Sequence, residues 1–108
     1  MSDGSTCMSV DPGVCRFQTK IKAEYQDGAI RYHIQTDCPH ASKLEGELDP
    51  RLSPFEALKM PFAENPIYIT CGKVLIHSAC PIPSALIKCA EVVAGLGLKR
   101  NVRFDFEC

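Results

Sequence analysis

Four side chains of this 108-residue sequence could together bind a metal ion, although they come from three distant segments of the chain: Cys15, Cys38, and the pair His77 and Cys80. Three thiolates and one imidazole are the number and type of ligands that close a tetrahedral zinc site. Thiolates also hold iron–sulfur clusters, usually through four cysteines, and Cys71 would then replace the histidine. The sequence therefore predicts a metal-binding protein, with zinc or an iron–sulfur cluster as the cofactor.

Cysteine is the unusual residue in the composition, because the chain has seven cysteines and no tryptophan. No two cysteines form a C-x-x-C pair, which argues against a zinc ribbon and a thioredoxin-type motif. In a reducing compartment, cysteines are more often metal ligands, redox thiols or core residues than disulfide partners. Cys89 is expected to be a core residue, because it lies on the apolar stripe of a helix, and Cys7 and Cys108 are expected to be incidental.

Charge and hydropathy exclude several classes of partner. Twelve basic and thirteen acidic residues give a formal net charge of −1, which gives no reason to expect binding to nucleic acid. The first residues resemble no signal peptide, and the longest apolar run, VVAGLGL, is too short to cross a membrane. We therefore expect a soluble, cytoplasmic protein that binds neither nucleic acid nor membranes. A protein partner is left open.

A β-hairpin is the clearest structural prediction. Residues 15–25 alternate between apolar and polar side chains, and residues 29–35 repeat the alternation after an Asp-Gly pair. An Asp-Gly pair between two such runs is a strong signal for a two-residue turn. The register set by that turn places Cys15 and Cys38 on the inward face, at the end far from the turn. As diagonal neighbours their Cα atoms would lie roughly 7–8 Å apart.

Helices are predicted for the middle of the chain. Residues 39–49 and 53–62 begin with proline and capping signals, and the second segment has Ser53 at the start of a capping box. Residues 81–97 have the strongest helical periodicity in the sequence. Residues 67–77 are ambiguous, because their β-branched content favours a strand while their apolar stripe favours a helix. A helix is our expectation there.

These elements predict an α+β fold in two layers. Residues 102–106 alternate once more, which predicts a third, C-terminal strand beside the N-terminal hairpin on an antiparallel sheet. Residues 1–13 are rich in serine, glycine and aspartate and are expected to form a flexible arm. Residues 14–108 would then form one domain, with the helices packed on one face of the sheet.

The predicted helix starts would complete the metal site. Cys38 and Cys80 each precede a helix, where free backbone N–H groups and the helix dipole stabilise a thiolate. His77 and Cys80 have the i, i+3 spacing that places two side chains on one helical face. His33 is expected to face solvent on its strand. His40 is expected to be an exposed helix residue, and the alternative is that it supports a ligand or is itself an alternate ligand.

Several stretches resemble one known family. HSACPIPSALIK, the following AGLGL and the terminal VRFDF are similar to a small cysteine-containing domain family of unknown function from methanogenic archaea and anaerobic bacteria. The stretch CRFQTKIKAEYQDGAIRYHIQTDCPH fits the same family, so that the resemblance extends from Val10 onward. It implies no activity, and the cytosol of an anaerobe would suit zinc thiolates and iron–sulfur clusters equally.

Two other functions remain open on the sequence alone. A thiol redox protein would use Cys80 as an activated nucleophile and Cys38 as the thiol that resolves it. A metal-free interaction domain would use its cysteines only for packing. The sequence assigns no enzymatic activity, and no nucleotide-binding or hydrolase motif is present.

Overall fold

The computed structural model describes residues 4–108 and contains one three-stranded antiparallel sheet in the order β1-β2-β3. The strands are β1 (Gly4–Val10), β2 (Thr19–Gln26) and β3 (Ala29–Thr36). The helices that follow are α1 (Leu44–Glu47), α2 (Pro54–Ala57), α3 (Pro66–Val74) and α4 (Ile82–Val93). Short 3-10 helices at Ala41–Lys43 and Phe62–Glu64 precede α1 and α3. The predicted α+β class is confirmed.

The β2–β3 hairpin has the predicted register. Gln26 pairs with Ala29 around the turn, and the pairing continues to Thr19 and Thr36. Asp27 and Gly28 have φ angles of 54° and 77°, the left-handed conformations that a tight hairpin turn needs and that Asp-Gly provides at little cost. The pairing stops before Cys15, however, so the prediction that β2 begins there is wrong. Residues 11–18 form the connection from β1 instead.

The third strand comes from the other end of the chain. The prediction of a flexible arm is wrong for Gly4–Val10, which forms β1 and pairs antiparallel with β2; residues 1–3 lie outside the described residues. The expected third strand at residues 102–106 is likewise not formed, and residues 101–108 are exposed and without regular structure. Small polar residues such as those of β1 adopt a strand where a neighbouring edge supplies backbone partners. The alternation of apolar and polar side chains in residues 102–106 supplies no such backbone partner.

The helices follow local signals in the sequence. Ser53 and Glu56 form the predicted capping box at the start of α2. The helix expected for residues 67–77 is confirmed as α3 but ends at Val74, and its N-cap Asn65 is buried. The helix predicted for residues 81–97 is confirmed as α4, which ends before Gly95 at a φ of 75°. The first predicted helix, residues 39–49, is divided between a 3-10 turn and α1.

The core lies between the sheet and the helices. α4 packs on β1 and β2, and the centre of the core is formed by fully buried aliphatic side chains from both layers, among them Ile21, Ile30, Leu44, Ile67 and Leu86. The outer edge of β3 is covered, because Ile30 N–H donates to Leu52 O at 2.7 Å and Ile34 N–H donates to Glu45 Oε1 at 2.6 Å. The outer edge of β1 has no such cover among residues 4–108. No helix in that part of the chain is long and apolar enough to span a membrane.

Candidate metal centre

Cys15 and Cys38 both lie in segments that adjoin the open end of the β2–β3 hairpin. The last β2–β3 pair is Thr19–Thr36, whose hydroxyl oxygens are 2.8 Å apart. Cys38 follows directly, and its N–H donates to Thr36 Oγ1 at 3.2 Å. Cys15 is not part of β2; it is exposed in the 11–18 loop, which enters the sheet beside Thr36. The diagonal pairing predicted for the two cysteines is therefore not formed, and their closeness stays a prediction.

Cys38 stands at the start of a helical segment. Its sulfur accepts a hydrogen bond from the backbone N–H of Ala41 at 3.4 Å, and its carbonyl oxygen accepts one from Ser42 at 3.0 Å. The side chain is half-buried against the core. A free N–H group at a helix start stabilises partial or full negative charge on the sulfur that accepts its bond. Cys38 therefore occupies the position that the sequence predicted for it.

Cys80 precedes α4 and is also half-buried. Burial is the main influence on its ionisation and raises the pKa of the Cys80 thiol above its ordinary value. A hydrogen bond with the backbone of Ile82 lowers that pKa, as expected at a helix start, and the neighbouring thiols of Cys15 and Cys38 raise it. The net direction is upward. The helix start is present as predicted, but desolvation and the other cysteines outweigh it.

Cys15 and Cys38 both raise the pKa of the Cys80 thiol, so each lies within electrostatic range of it. Cys71 belongs to the same neighbourhood: it is buried in α3, and burial first and then the Cys80 thiol raise the pKa of Cys71 to about 12. Cysteines from four separate segments thus converge near the start of α4.

His77 lies near the mouth of this region. α3 ends at Val74, so the predicted helical turn through His77 and Cys80 is not formed. A turn connects the two residues instead, because Cys80 N–H donates to His77 O at 3.2 Å. His77 is exposed, and together with Cys71 and Cys80 it lines a cavity of about 380 Å³ between α3 and α4. The imidazole is therefore on the same side of the molecule as the cysteines.

The converging side chains do not form a finished coordination sphere. Among residues 4–108 there is no group of three or more His, Cys, Asp or Glu side chains arranged to hold a metal ion. Cys15 and His77 are exposed and lie in connecting segments, whereas Cys38 and Cys80 are held by helix starts. Metal binding at this place would require the two exposed ligands to move toward the two held ones.

The remaining cysteines and histidines are not among the predicted ligands. Cys89 is buried in the core with its sulfur 3.9 Å from Met8 Sδ, as expected for a packing residue. Burial first and then Cys7 raise the pKa of Cys89 to about 11. His33 is exposed as predicted, and its Nε2 lies 2.6 Å from Glu24 Oε1 on the neighbouring strand. His40 is half-buried just before the first 3-10 helix.

One buried polar residue next to the cysteines was not singled out from the sequence. Tyr32 lies between Arg31 and His33 in β3, on the inward face of the sheet. Burial is the main cause of the raised pKa of Tyr32, and the nearby Cys89 and Cys71 thiols raise that pKa further. The sequence signal for this residue is a tyrosine among apolar inward positions, because a buried phenol needs a hydrogen-bond partner.

Comparison with known proteins identifies the family and no activity. The model of a family described as "Family of unknown function (DUF6951)" matches residues 6–106, a span that includes Cys15, Cys38, Cys71, His77 and Cys80. No curated protein and no solved structure matches the chain. The extent of the family match, over the sheet, all four helices and the converging cysteines, shows that this chain belongs to that family of unknown function.

Proposed function

We propose that this chain is a small cytoplasmic metal-binding protein whose ligands are Cys15, Cys38 and Cys80, with a fourth ligand from the α3–α4 region. The proposal is supported by the cavity that Cys71, His77 and Cys80 line together, and by the position of Cys15 and Cys38 within electrostatic range of Cys80. His77 would complete a Cys₃His site for zinc, and Cys71 would complete a four-cysteine site for an iron–sulfur cluster.

Electrostatics give the physical reason for a cation at this place. Neighbouring thiols oppose one another's ionisation, which contributes to the raised pKa of Cys80 after burial. A bound cation reverses that effect, because it neutralises the thiolates and drives coordinating thiols to deprotonate. Hydrogen bonds from Ala41 and Ile82 to the sulfurs of Cys38 and Cys80 would support the charged form.

The state of the cysteines is compatible with a reducing compartment. All seven lie within the described residues and are free. Free thiols are the usual state in the cytosol, where disulfides rarely persist. An origin in an anaerobe, which the sequence resemblance implies, would suit either zinc thiolates or an iron–sulfur cluster.

The thiol redox alternative is less well supported. An activated cysteine nucleophile has a lowered pKa, because the thiolate is the reactive form. The pKa of Cys80 is instead raised, mainly by burial. The metal-free interaction domain retains one specific support, namely the row of exposed apolar side chains in residues 101–108.

Metal analysis of anaerobically purified protein tests the proposal. We expect zinc, or iron with sulfide, in stoichiometric amount, and we expect Cys38→Ser and Cys80→Ser to lower metal content and unfolding free energy together. Cys89→Ala is the matched control, because it removes a core thiol and should retain the metal. Metal-free wild-type protein that also fails to bind added zinc, or equal metal content in all three variants, would contradict the proposal.

A further inference from the structure

Residues 101–108 have the sequence of a strand but pair with no strand among residues 4–108. Val102, Phe104 and Phe106 alternate with Arg103, Asp105 and Glu107. The three apolar side chains are 63%, 87% and 104% exposed, and residues 101–108 belong to no strand of the described chain. Isolated exposed apolar residues are common, but a full row on one side of an extended segment marks a surface that another molecule covers.

β1 is an edge strand with an unpaired outer edge in the described chain. In the hairpin, the N–H groups of Ile30 and Ile34 point away from β2, which fixes the direction of every second backbone group across the sheet. Backbone groups of successive residues point alternately to the two sides of a strand. Applied to the β2–β3 and β1–β2 residue pairs, this rule directs the N–H and C=O groups of Ser5, Cys7 and Ser9 to the outer edge of β1. Among the described residues nothing pairs with that edge. An open edge of this kind readily accepts a further strand.

We infer that residues 101–108 of one copy add as a fourth strand to the outer edge of β1 in a second copy, and that the exchange is reciprocal. The lengths agree, since β1 has seven residues. In its own copy the segment is exposed along its whole length and leaves β1 open. A reciprocal exchange closes both open edges through a two-fold symmetric interface.

The two faces of the added strand match the two faces of the sheet. Side chains on adjacent strands share the pleat, so that Val102, Phe104 and Phe106 would lie on the helix side, beside the half-buried Met8 of β1 and Ile87 of α4. Arg103, Asp105 and Glu107 would lie on the solvent side, beside the exposed side chains of Ser5, Cys7 and Ser9 of β1. The apolar row thus meets the open end of the core, and the charged row stays in solvent.

The area is sufficient for a stable dimer. Each buried aromatic side chain contributes about 150–250 Å². Two segments carry four phenylalanines and two valines, which, with the acceptor surface, gives on the order of 1,600 Å², the size of a standard specific interface. The exchange also removes two hazards of the isolated chain, an open strand edge and an exposed apolar strand.

Two variants test the inference in the full-length protein, under reducing conditions that exclude disulfide-linked dimers. Phe104→Asp with Phe106→Asp removes the apolar row, and its control is Asp105→Asn. Cys7→Pro removes an edge donor without touching the β1–β2 hydrogen bonds, and its control is Cys7→Ser. Molar mass is measured by light scattering or sedimentation over a range of concentrations. We expect dimers for wild type and both controls, and monomers for the two disruptive variants.

Measurements of folding and metal content distinguish loss of the dimer from loss of the fold or of the metal site. Because residues 104 and 106 are exposed, the double aspartate variant should retain its circular dichroism and metal content, and it remains informative if Cys7→Pro disturbs β1. In the wild-type dimer, hydrogen exchange at Ser5, Cys7 and Ser9 should be slower than in the double variant. A monomeric wild type, a dimer that survives the double variant, or a dimer without protection of β1 would each overturn the inference.

Discussion

The phenol of Tyr32, in β3, donates a hydrogen bond of 2.6 Å to the carbonyl oxygen of Leu86, in α4. This buried bond joins the sheet directly to the longest helix. Burial is the main reason that the pKa of Tyr32 lies far above its ordinary value, with smaller contributions from Cys89 and Cys71. The phenol therefore remains protonated and continues to donate throughout the neutral and mildly alkaline range.

The Tyr32–Leu86 bond should have a measurable share in stability. Tyr32→Phe keeps the ring and removes only the donor, so we expect the free energy of unfolding to fall by about 1–2 kcal/mol. Denaturant unfolding followed by circular dichroism measures the change. Tyr25→Phe removes a hydroxyl from a half-buried tyrosine of β2 and should cost less. Equal effects in the two variants would show that the buried bond contributes nothing specific.

Asn65 should be among the most sensitive polar positions. Its Nδ2 donates to Ala57 O at 2.9 Å and Lys59 O at 3.1 Å, while its Oδ1 accepts from Ile67 N–H at 2.8 Å and Tyr68 N–H at 3.2 Å. Asn65→Ala removes the helix cap and leaves buried groups unpaired, so we expect a loss of about 2–4 kcal/mol.

The comparison for Asn65 is the other capped helix. Ser53 is only half-buried and caps the short α2, so Ser53→Ala should cost about 1 kcal/mol. Both variants are measured by the same denaturant unfolding. An Asn65→Ala variant no less stable than Ser53→Ala would contradict the structural role assigned to the buried amide.

The fourth metal ligand can be identified by a pair of variants. In zinc-loaded protein we expect His77→Ala to weaken binding by more than the ~10–100-fold that loss of an outer-shell partner costs. Cys71→Ser should retain zinc, because Cys71 is only 2% exposed within α3, whereas the exposed His77 can approach a bound ion. Competition with a chelator measures both affinities. The opposite ranking would assign the site to four cysteines and favour an iron–sulfur cluster.

Cys89 should make stability depend on pH in alkaline solution. The pKa of Cys89 is raised to about 11 in the folded protein, mainly by burial, whereas an unfolded thiol ionises near ~8.5. The contribution of the Cys89 thiol to stability is fully present at pH values below the pKa of the unfolded thiol. Between the two values the unfolded chain releases its proton first, so stability falls as pH rises, at most by about 1.4 kcal/mol per pH unit for this thiol.

The pH dependence is measured by denaturant unfolding of metal-free protein between about pH 8 and about pH 9.5, below the range where unfolded tyrosines ionise. Cys89→Ala is expected to be less stable at neutral pH, because it loses packing, but to have a shallower decline with pH. A parallel decline in wild type and variant would show that Cys89 does not titrate differently in the folded and unfolded states.

Local patterns were enough to determine much of the secondary structure. The Asp-Gly turn determined the hairpin register, because two left-handed residues in succession allow only one tight connection. Ser53 and Glu56 determined the start of α2 through bonds that span only three residues. The spacing of apolar residues determined α4 in the same way. Each of these signals acts between residues that are close in sequence.

Tertiary structure decided which segment completes the sheet and which cysteines are neighbours. Residues 4–10 and 102–106 could both extend as strands, but only the first meets the free edge of β2 within the chain. Gly13 and Arg16, with φ angles of 83° and 62°, turn the chain before β2 and place Cys15 in a loop, although its alternation with later residues resembles a strand. The approach of Cys71 and Cys80 to the end of the hairpin depends on how the helices pack over it. Strand pairing and helix packing join residues far apart in sequence, and the whole fold decides which of the competing contacts form. The periodicity of a single segment carries no information about those distant contacts.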